Sequence, residues 1–241
     1  MPCFAITVGH SCKQAGAAAA LTLENGRPRL NAVLRTAVRT LGSWQEPTSY
    51  ADRYSHPEAL IALLKQSLPK GQLEPMLIAD NTIPPITIQV NTLKTDREAL
   101  EKRLEGEGVT ARPHKWMENC LVLSGTRSLE QLPSFREGLY YVQDPASKLS
   151  VLCGELKPGM EVLDCCAAPG GKSFAAAMAM AGQGSILSCD VHPHKIALIE
   201  NGAARLGIPN LSAQLQDASA FVPDWEGAFD AVIVDAPCSG L

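Results

Sequence analysis

The stretch from Glu161 to Val234 constrains the fold most, because apolar runs of strand length alternate there with amphipathic runs of helix length. Glu161–Cys165, Ser185–Cys189, Leu211–Leu215 and Ala231–Val234 read as strands. Gly171–Met180 and Pro193–Leu206 read as helices, the second stopped by Gly207. Strict alternation of this kind predicts right-handed βαβ units and a parallel sheet. Such a sheet binds ligands outside the carboxyl ends of its strands. Asp164, Asp190, Asp217 and Asp235 all stand there, each at a strand end, and together they say more than any one of them.

The first strand runs into Asp164-Cys-Cys-Ala-Ala-Pro-Gly-Gly-Lys172 and then a helix. A glycine-rich turn in that position lets a ligand approach the backbone, with helix N–H groups aimed at it. The turn is neither G-x-G-x-x-G nor a phosphate loop, and its single glycine pair offers few amides to a diphosphate. A dinucleotide and a triphosphate are therefore disfavoured. Asp190 lies 26 residues beyond Asp164 and suits the two hydroxyls of a ribose, although a cap for the helix at Pro193 also explains it. Asp217 suits the adenine side of a nucleoside or a plain turn. Lys172 either pairs with a carboxylate or shapes the loop. His192 and His194 flank Pro193 without a third ligand, so no metal is expected. Cys153, Cys165 and Cys189 read as core thiols.

Upstream the style differs. Leu30, Val33, Leu34, Ala37, Val38 and Leu41 recur at helix spacing, with Arg35 and Arg39 on the other side. Ser55-His-Pro-Glu58 has the spacing of a capping box ahead of a helix burying Leu60, Ile61, Leu64 and Leu68. Residues 69–85 are rich in proline and read as a linker. Ile86–Asn91 alternates like a strand. Thr95–Glu98 caps a helix with Glu98 and Lys102 at i,i+4, and strand-like pieces follow at Val109–Arg112, Cys120–Leu123 and Leu139–Gln143. Asp144-Pro145 opens a helix expected to reach Leu156. The domain expectation is residues 1–25 unassigned, 26–70 helical, 71–85 a linker, 86–143 a small α/β module and 144–241 the parallel-sheet domain.

Charge separates these parts. Residues 26–70 hold seven basic and three acidic side chains, whereas residues 149–241 hold four basic and ten acidic, although the whole chain is only −4. A basic docking part and an acidic part fit this, as do solvated helix faces. The 46% hydrophobic content excludes disorder as the dominant state, and no apolar run approaches the ~18 residues a bilayer needs. The N-terminus lacks a secretory signal and the eight cysteines show no Cys-x-x-Cys spacing, which suits reduced thiols in a cytoplasm and no membrane partner.

Asp-Cys-Cys-Ala-Ala-Pro-Gly-Gly-Lys-Ser followed by Val-Asp-Ala-Pro-Cys-Ser-Gly-Leu resembles the RNA cytosine-C5 methyltransferase (NOL1/NOP2/Sun) family. Leu30–Arg35 and Arg53–Glu58 are similar to the end of the NusB-like helical RNA-binding domain of its bacterial members acting on 16S ribosomal RNA. Tyr141-Val-Gln-Asp-Pro-Ala-Ser147 is similar to the segment entering their catalytic domain. The resemblance implies a partial Rossmann-like methyltransferase sheet preceded by a small α/β module and a remnant NusB-like domain. It implies S-adenosyl-L-methionine as cofactor, held by Cys166, Ala167, Ala168, Pro169, Gly170, Gly171 and Lys172, with Asp190 on the ribose, Asp217 on the adenine side and Asp235 as the motif-four acid. It also implies methylation of a cytidine in 16S ribosomal RNA by a thiolate that adds to C6, after which C5 takes the methyl and a base removes its proton. The family's attacking cysteine belongs to a later Thr-Cys motif, and Cys238 matches the Pro-Cys residue that assists product release. That later motif does not occur in the chain, so the expectation is a fragment of such an enzyme, inactive as it stands. A tRNA-directed member of the family and a non-catalytic RNA- or cofactor-binding fragment are the alternatives.

Overall fold

The computed structural model describes residues 47–125 and 128–236, together with Arg35, Thr36, Val38 and Arg39, and divides into two units between Pro84 and Pro85. Most of the helix expected over Leu30–Leu41, Arg29 and Cys238 lie outside the described residues. The four that are described there are helical and exposed.

The first unit contains α1 (Tyr50–Tyr54), α2 (Glu58–Ser67) and α3 (Leu73–Asp80). Ser49 caps α1 by accepting from the Asp52 amide, and Ser55 ends it in the left-handed region. Ser55 therefore cannot cap the next helix: α2 starts from Pro57 with no side-chain cap, so no capping box forms. The expected linker is partly helical. Pro75 sits early enough in α3 that its missing N–H costs no intrahelical bond, and Leu77 is fully buried. Asn81 ties the far end by donating to the carbonyls of Tyr54 and Leu77.

The second unit holds two sheets. The first is built from β1 (Ile86–Val90), α4 (Arg97–Gly106), β2 (Thr110–Pro113), β3 (Cys120–Ser124), the single turn α5 (Pro133–Arg136) and β4 (Tyr140–Val142). Its order is β2-β3-β1-β4 with every neighbour antiparallel. The period of two divides β1 cleanly. Ile88 and Val90 join Leu100, Leu104, Leu121 and Tyr140 in one core, while Thr87, Gln89 and Asn91 are buried on the opposite face. The expected Glu98–Lys102 pair does not form; Glu98 bonds Arg97 instead, and Asp96, one residue beyond the expected Thr95, caps the helix.

Next come α6 (Pro145–Leu152), β5 (Glu161–Asp164), α7 (Gly171–Ala179), β6 (Ser185–Asp190), α8 (Pro193–Leu206), β7 (Leu211–Leu215) and β8 (Ala231–Ile233). These strands form the expected parallel sheet, in the order β7-β6-β5-β8. The order reverses between β5 and β8, which is where such sheets open a crevice. Helix α6 stops four residues short of Leu156. Cys153, placed in its apolar register by the sequence, is the C-cap and is exposed.

The two sheets are latched together. Asn91 donates to the carbonyls of Gly138 and Leu206, both at 2.8 Å. Arg205 donates to those of Phe135 and Tyr140, with its guanidinium 3.9 Å from the Phe135 ring centre. Gly138 has φ +71°, and a Cβ there would stand 2.0 Å from the Arg205 carbonyl oxygen, so the approach needs glycine.

Candidate functional site

The crevice at the switch point is floored by the turn that leaves β5. Cys165 still donates to the Ile233 carbonyl and Ala167 to that of Cys189, so the turn hangs from both neighbouring strands. A cis Ala168–Pro169 bond follows, and the Gly170 amide closes back on the Ala167 carbonyl at 2.7 Å. Gly170 has φ +112°, and a Cβ there would meet the Phe174 ring at 2.3 Å. Phe174 stands edge-on to Tyr141 of the first sheet, at 5.8 Å between ring centres. A Cβ on Gly171 would lie 3.1 Å from Nε2 of Gln143. Gln143 is itself tied to β1, its carbonyl accepting from Thr87 Oγ1 and Gln89 Nε2. The first sheet thus supports the turn from behind.

Four acids reach the strand ends. Asp164 is fully buried and accepts from Ser173 Oγ at 2.7 Å, while Ser188 Oγ donates to Ser173 Oγ at 2.8 Å. Its other oxygen, Oδ1, is buried with no partner, and burial pushes its carboxyl above the usual range. Asp190 is also buried; it accepts from the His192 amide and lies 3.5 Å from Lys195 Nζ. The N-cap of α8 is His192, so Asp190 is not the cap that the sequence offered as its plainer reading. Asp217 is exposed and accepts from the Ser219 amide and hydroxyl, which hold its carboxyl below the usual range. This is the turn reading of Asp217, and it leaves the residue exposed at the third strand end. Asp235 receives the Lys172 ammonium at 2.5 Å, which decides that lysine for carboxylate pairing.

The thiols answer to this field. Cys166 is pushed up by desolvation first and then by the charges of Asp164, Asp190 and Asp235, with Lys195 opposing them. Cys189 is buried and pushed up to about 11, mainly by desolvation. Cys165 is only half-buried, and desolvation raises it too. None of the three is poised as a thiolate nucleophile. Among the described residues no group of three or more His, Cys, Asp or Glu is placed to hold a metal ion, and no helix is long and apolar enough to cross a membrane.

Four contributors escaped the sequence reading. Ser173 and Ser188 are wholly buried polar residues where a helix face and a strand would ordinarily carry apolar ones, and that substitution pattern was their only signal. Lys195, in the first turn of α8, shows only as a cation following an acidic strand end. Gln143 stood in a quoted motif without a role.

Comparison with known proteins bears on the same residues. The family model described as 16S rRNA methyltransferase RsmB/F matches residues 151–241, and one for the ferredoxin-like domain of RsmF/B-like methyltransferases matches residues 56–130. The chain is 35% identical over 218 residues to ribosomal RNA small subunit methyltransferase B of Vibrio cholerae, covering 88% of this chain and 49% of that protein. It is 34% identical to the 28S rRNA (cytosine-C(5))-methyltransferase of Mus musculus, covering 79% of this chain and 24% of that one. A methyltransferase homolog protein from Pyrococcus horikoshii superposes with a TM-score of 0.67 at 28% identity, over 79% of this chain and 62% of that one. The chain spans about half the length of the bacterial relatives it matches.

Proposed function

Because the chain belongs to the RsmB/F (Sun/NOP2) family of rRNA methyltransferases, we propose that it takes part in S-adenosylmethionine-dependent methylation of C5 of a cytidine in small-subunit ribosomal RNA. The observation that carries the cofactor is the sign of the crevice. Its two lysines, Lys172 and Lys195, each face an acid, Asp235 and Asp190. A cationic sulfonium ligand fits such a site, whereas a diphosphate would meet carboxylates where it needs amides and cations.

In this reading the bound cofactor supplies an electrophilic methyl group, and the protein supplies its orientation. Asp190 holds the ribose hydroxyls, and the turn from Cys166 to Lys172 approaches the amino-acid end. Asp217 borders the adenine. Asp235, held by Lys172, faces the base to be methylated. Thiolate addition at C6 makes C5 nucleophilic; once C5 has taken the methyl, loss of its proton expels the thiolate. Cys238 is assigned to that release by family resemblance alone.

Calorimetric titration of the chain with S-adenosylmethionine and with NAD tests the cofactor, and mass spectrometry of small-subunit rRNA after incubation with labelled donor tests the product. Saturable binding of the first ligand and none of the second are expected of the chain, and 5-methylcytidine in the rRNA once a segment carrying the family's Thr-Cys motif is joined to it. Tighter binding of NAD would overturn the assignment, and so would a methyl group on another base. Asp190→Ala should weaken S-adenosylmethionine by ~1–3 kcal/mol through the unpaired hydroxyls.

A further inference from the structure

The hairpin that joins β2 to β3 presents a tryptophan to solvent from a loop fixed at several points. The His114 amide donates to the Cys120 carbonyl at 2.9 Å, closing the hairpin. His114 Nδ1 accepts from the Met117 amide, and the Met117 side chain is buried. Lys148 of α6 donates to the Glu118 carbonyl at 2.8 Å, pinning the loop from the other side. Between these anchors Trp116 is 61% exposed, braced edge-on by the His114 ring at 4.7 Å. An indole held this firmly loses little entropy when a flat partner stacks on it.

Charge selects the partner. From Val109 to Asn119 the chain has two cations, Arg112 and Lys115, and one acid, Glu118, so the hairpin carries a net charge of +1. Both cations are exposed, and neither makes an ion pair among the described residues. Arg97 and Arg103 of α4, by contrast, face Glu98, Glu107 and Glu137, although Lys102 of the same helix makes no ion pair among the described residues. The hairpin is therefore a local positive, aromatic edge on an acidic protein. An aromatic face beside uncommitted cations suits an unpaired nucleobase with its phosphates. The loop also shares a helix with the crevice. Lys148 anchors it, and Ser150 and Val151, the next turn of α6, line a cleft with Lys172 and Asp235.

We infer that Trp116, with Arg112 and Lys115, is a stacking site for an unpaired nucleobase of the RNA substrate, adjacent to the strand that delivers the target base. The inference rests on RNA being the substrate, as proposed above, but not on methyl transfer.

The test is anisotropy of the full chain with a labelled single-stranded oligoribonucleotide and with a fully paired RNA duplex. Trp116→Ala should weaken the single strand about tenfold, within the range for loss of one stacked base, and Trp116→Phe should restore most of that. Arg112→Gln and Lys115→Gln should each lower the salt slope by roughly one. Circular dichroism should be unchanged, since the side chain is exposed. Unaltered single-strand affinity in Trp116→Ala would overturn the inference and leave the indole to a protein partner. An equal loss for the duplex would overturn it too, because a paired base cannot stack there. Trp116-dependent binding without any binding of S-adenosylmethionine would support the site while removing the proposed function. Saturable S-adenosylmethionine binding with Trp116-independent RNA binding would do the reverse.

Discussion

Lys172, at the start of α7, and Asp235, just beyond β8, meet at 2.5 Å across 63 residues of sequence. Their side chains are 19% and 60% exposed, so water screens the attraction and the pair adds little to stability. Lys172→Met and Asp235→Asn should each shift unfolding free energy by under about 1 kcal/mol. Their proposed role is in the chemistry. In a chain completed with the family's Thr-Cys motif, Asp235→Asn should lower methyl transfer on the order of a hundredfold, the scale of a lost acid–base group, with S-adenosylmethionine affinity changed less than by Asp190→Ala. An equal drop in cofactor affinity would make Asp235 a binding residue only.

Asp164 gives a pH signature. Burial raises its carboxyl, with Asp235 adding to the rise and Lys172, Ser173 and the Cys166 amide opposing it. The folded state therefore holds this proton more tightly than the unfolded chain. Its contribution to stability is full below the ordinary aspartate range and declines as pH rises through the higher folded value. Asp164→Asn removes that dependence. Urea midpoints measured from pH 3.5 to 7 should show wild type losing ground to the variant as pH rises. Parallel curves would show that Asp164 titrates normally.

Gly170 should resist change for two separable reasons. Its φ of +112° excludes ordinary side chains, and its missing Cβ leaves room for the Phe174 ring. The ring has nowhere to go, because a Cβ on Gly202 would meet it at 2.5 Å from another side. Gly170→Ala should destabilise by on the order of 3 kcal/mol. Adding Phe174→Leu should recover only part of this, since the backbone strain persists. Full recovery would assign the whole cost to the clash.

Arg205→Met keeps the apolar stem but removes the guanidinium donor from the Tyr140 and Phe135 carbonyls, the second of which still accepts from the Gly138 amide. A loss of about 1–3 kcal/mol is expected. Arg205→Lys should recover less than half, because an ammonium cannot lie flat on the Phe135 ring. Chemical denaturation decides, and a loss below 0.5 kcal/mol by the ~1 kcal/mol standard for a single bond would mean that water replaces the guanidinium.

The parallel sheet was legible because its strands are short apolar runs whose ends carry acids. Three of its four strands ended within a residue of expectation, and the fourth, Leu211–Leu215, matched throughout. Helix α3 was missed because Pro75 and the flanking prolines read as punctuation, although a proline in a first turn breaks nothing. Cys153 was misplaced because periodicity cannot say where a helix stops. Of the site, the four aspartates and the turn showed themselves locally. The Lys172–Asp235 contact and the Ser188–Ser173–Asp164 chain did not, since both depend on which strands become neighbours.

The latch at Asn91 sets an order of events during synthesis. One acceptor, the Gly138 carbonyl, emerges 47 residues after it, and the other, that of Leu206, emerges 115 residues after. The antiparallel sheet can close around the first while half of the amide's donors wait for the second. Only when α8 is complete does Asn91 find its last acceptor, so docking of the two sheets is a late, non-local step. An alanine at Asn91 should slow or abolish this docking phase while leaving the earlier closure of the first sheet intact.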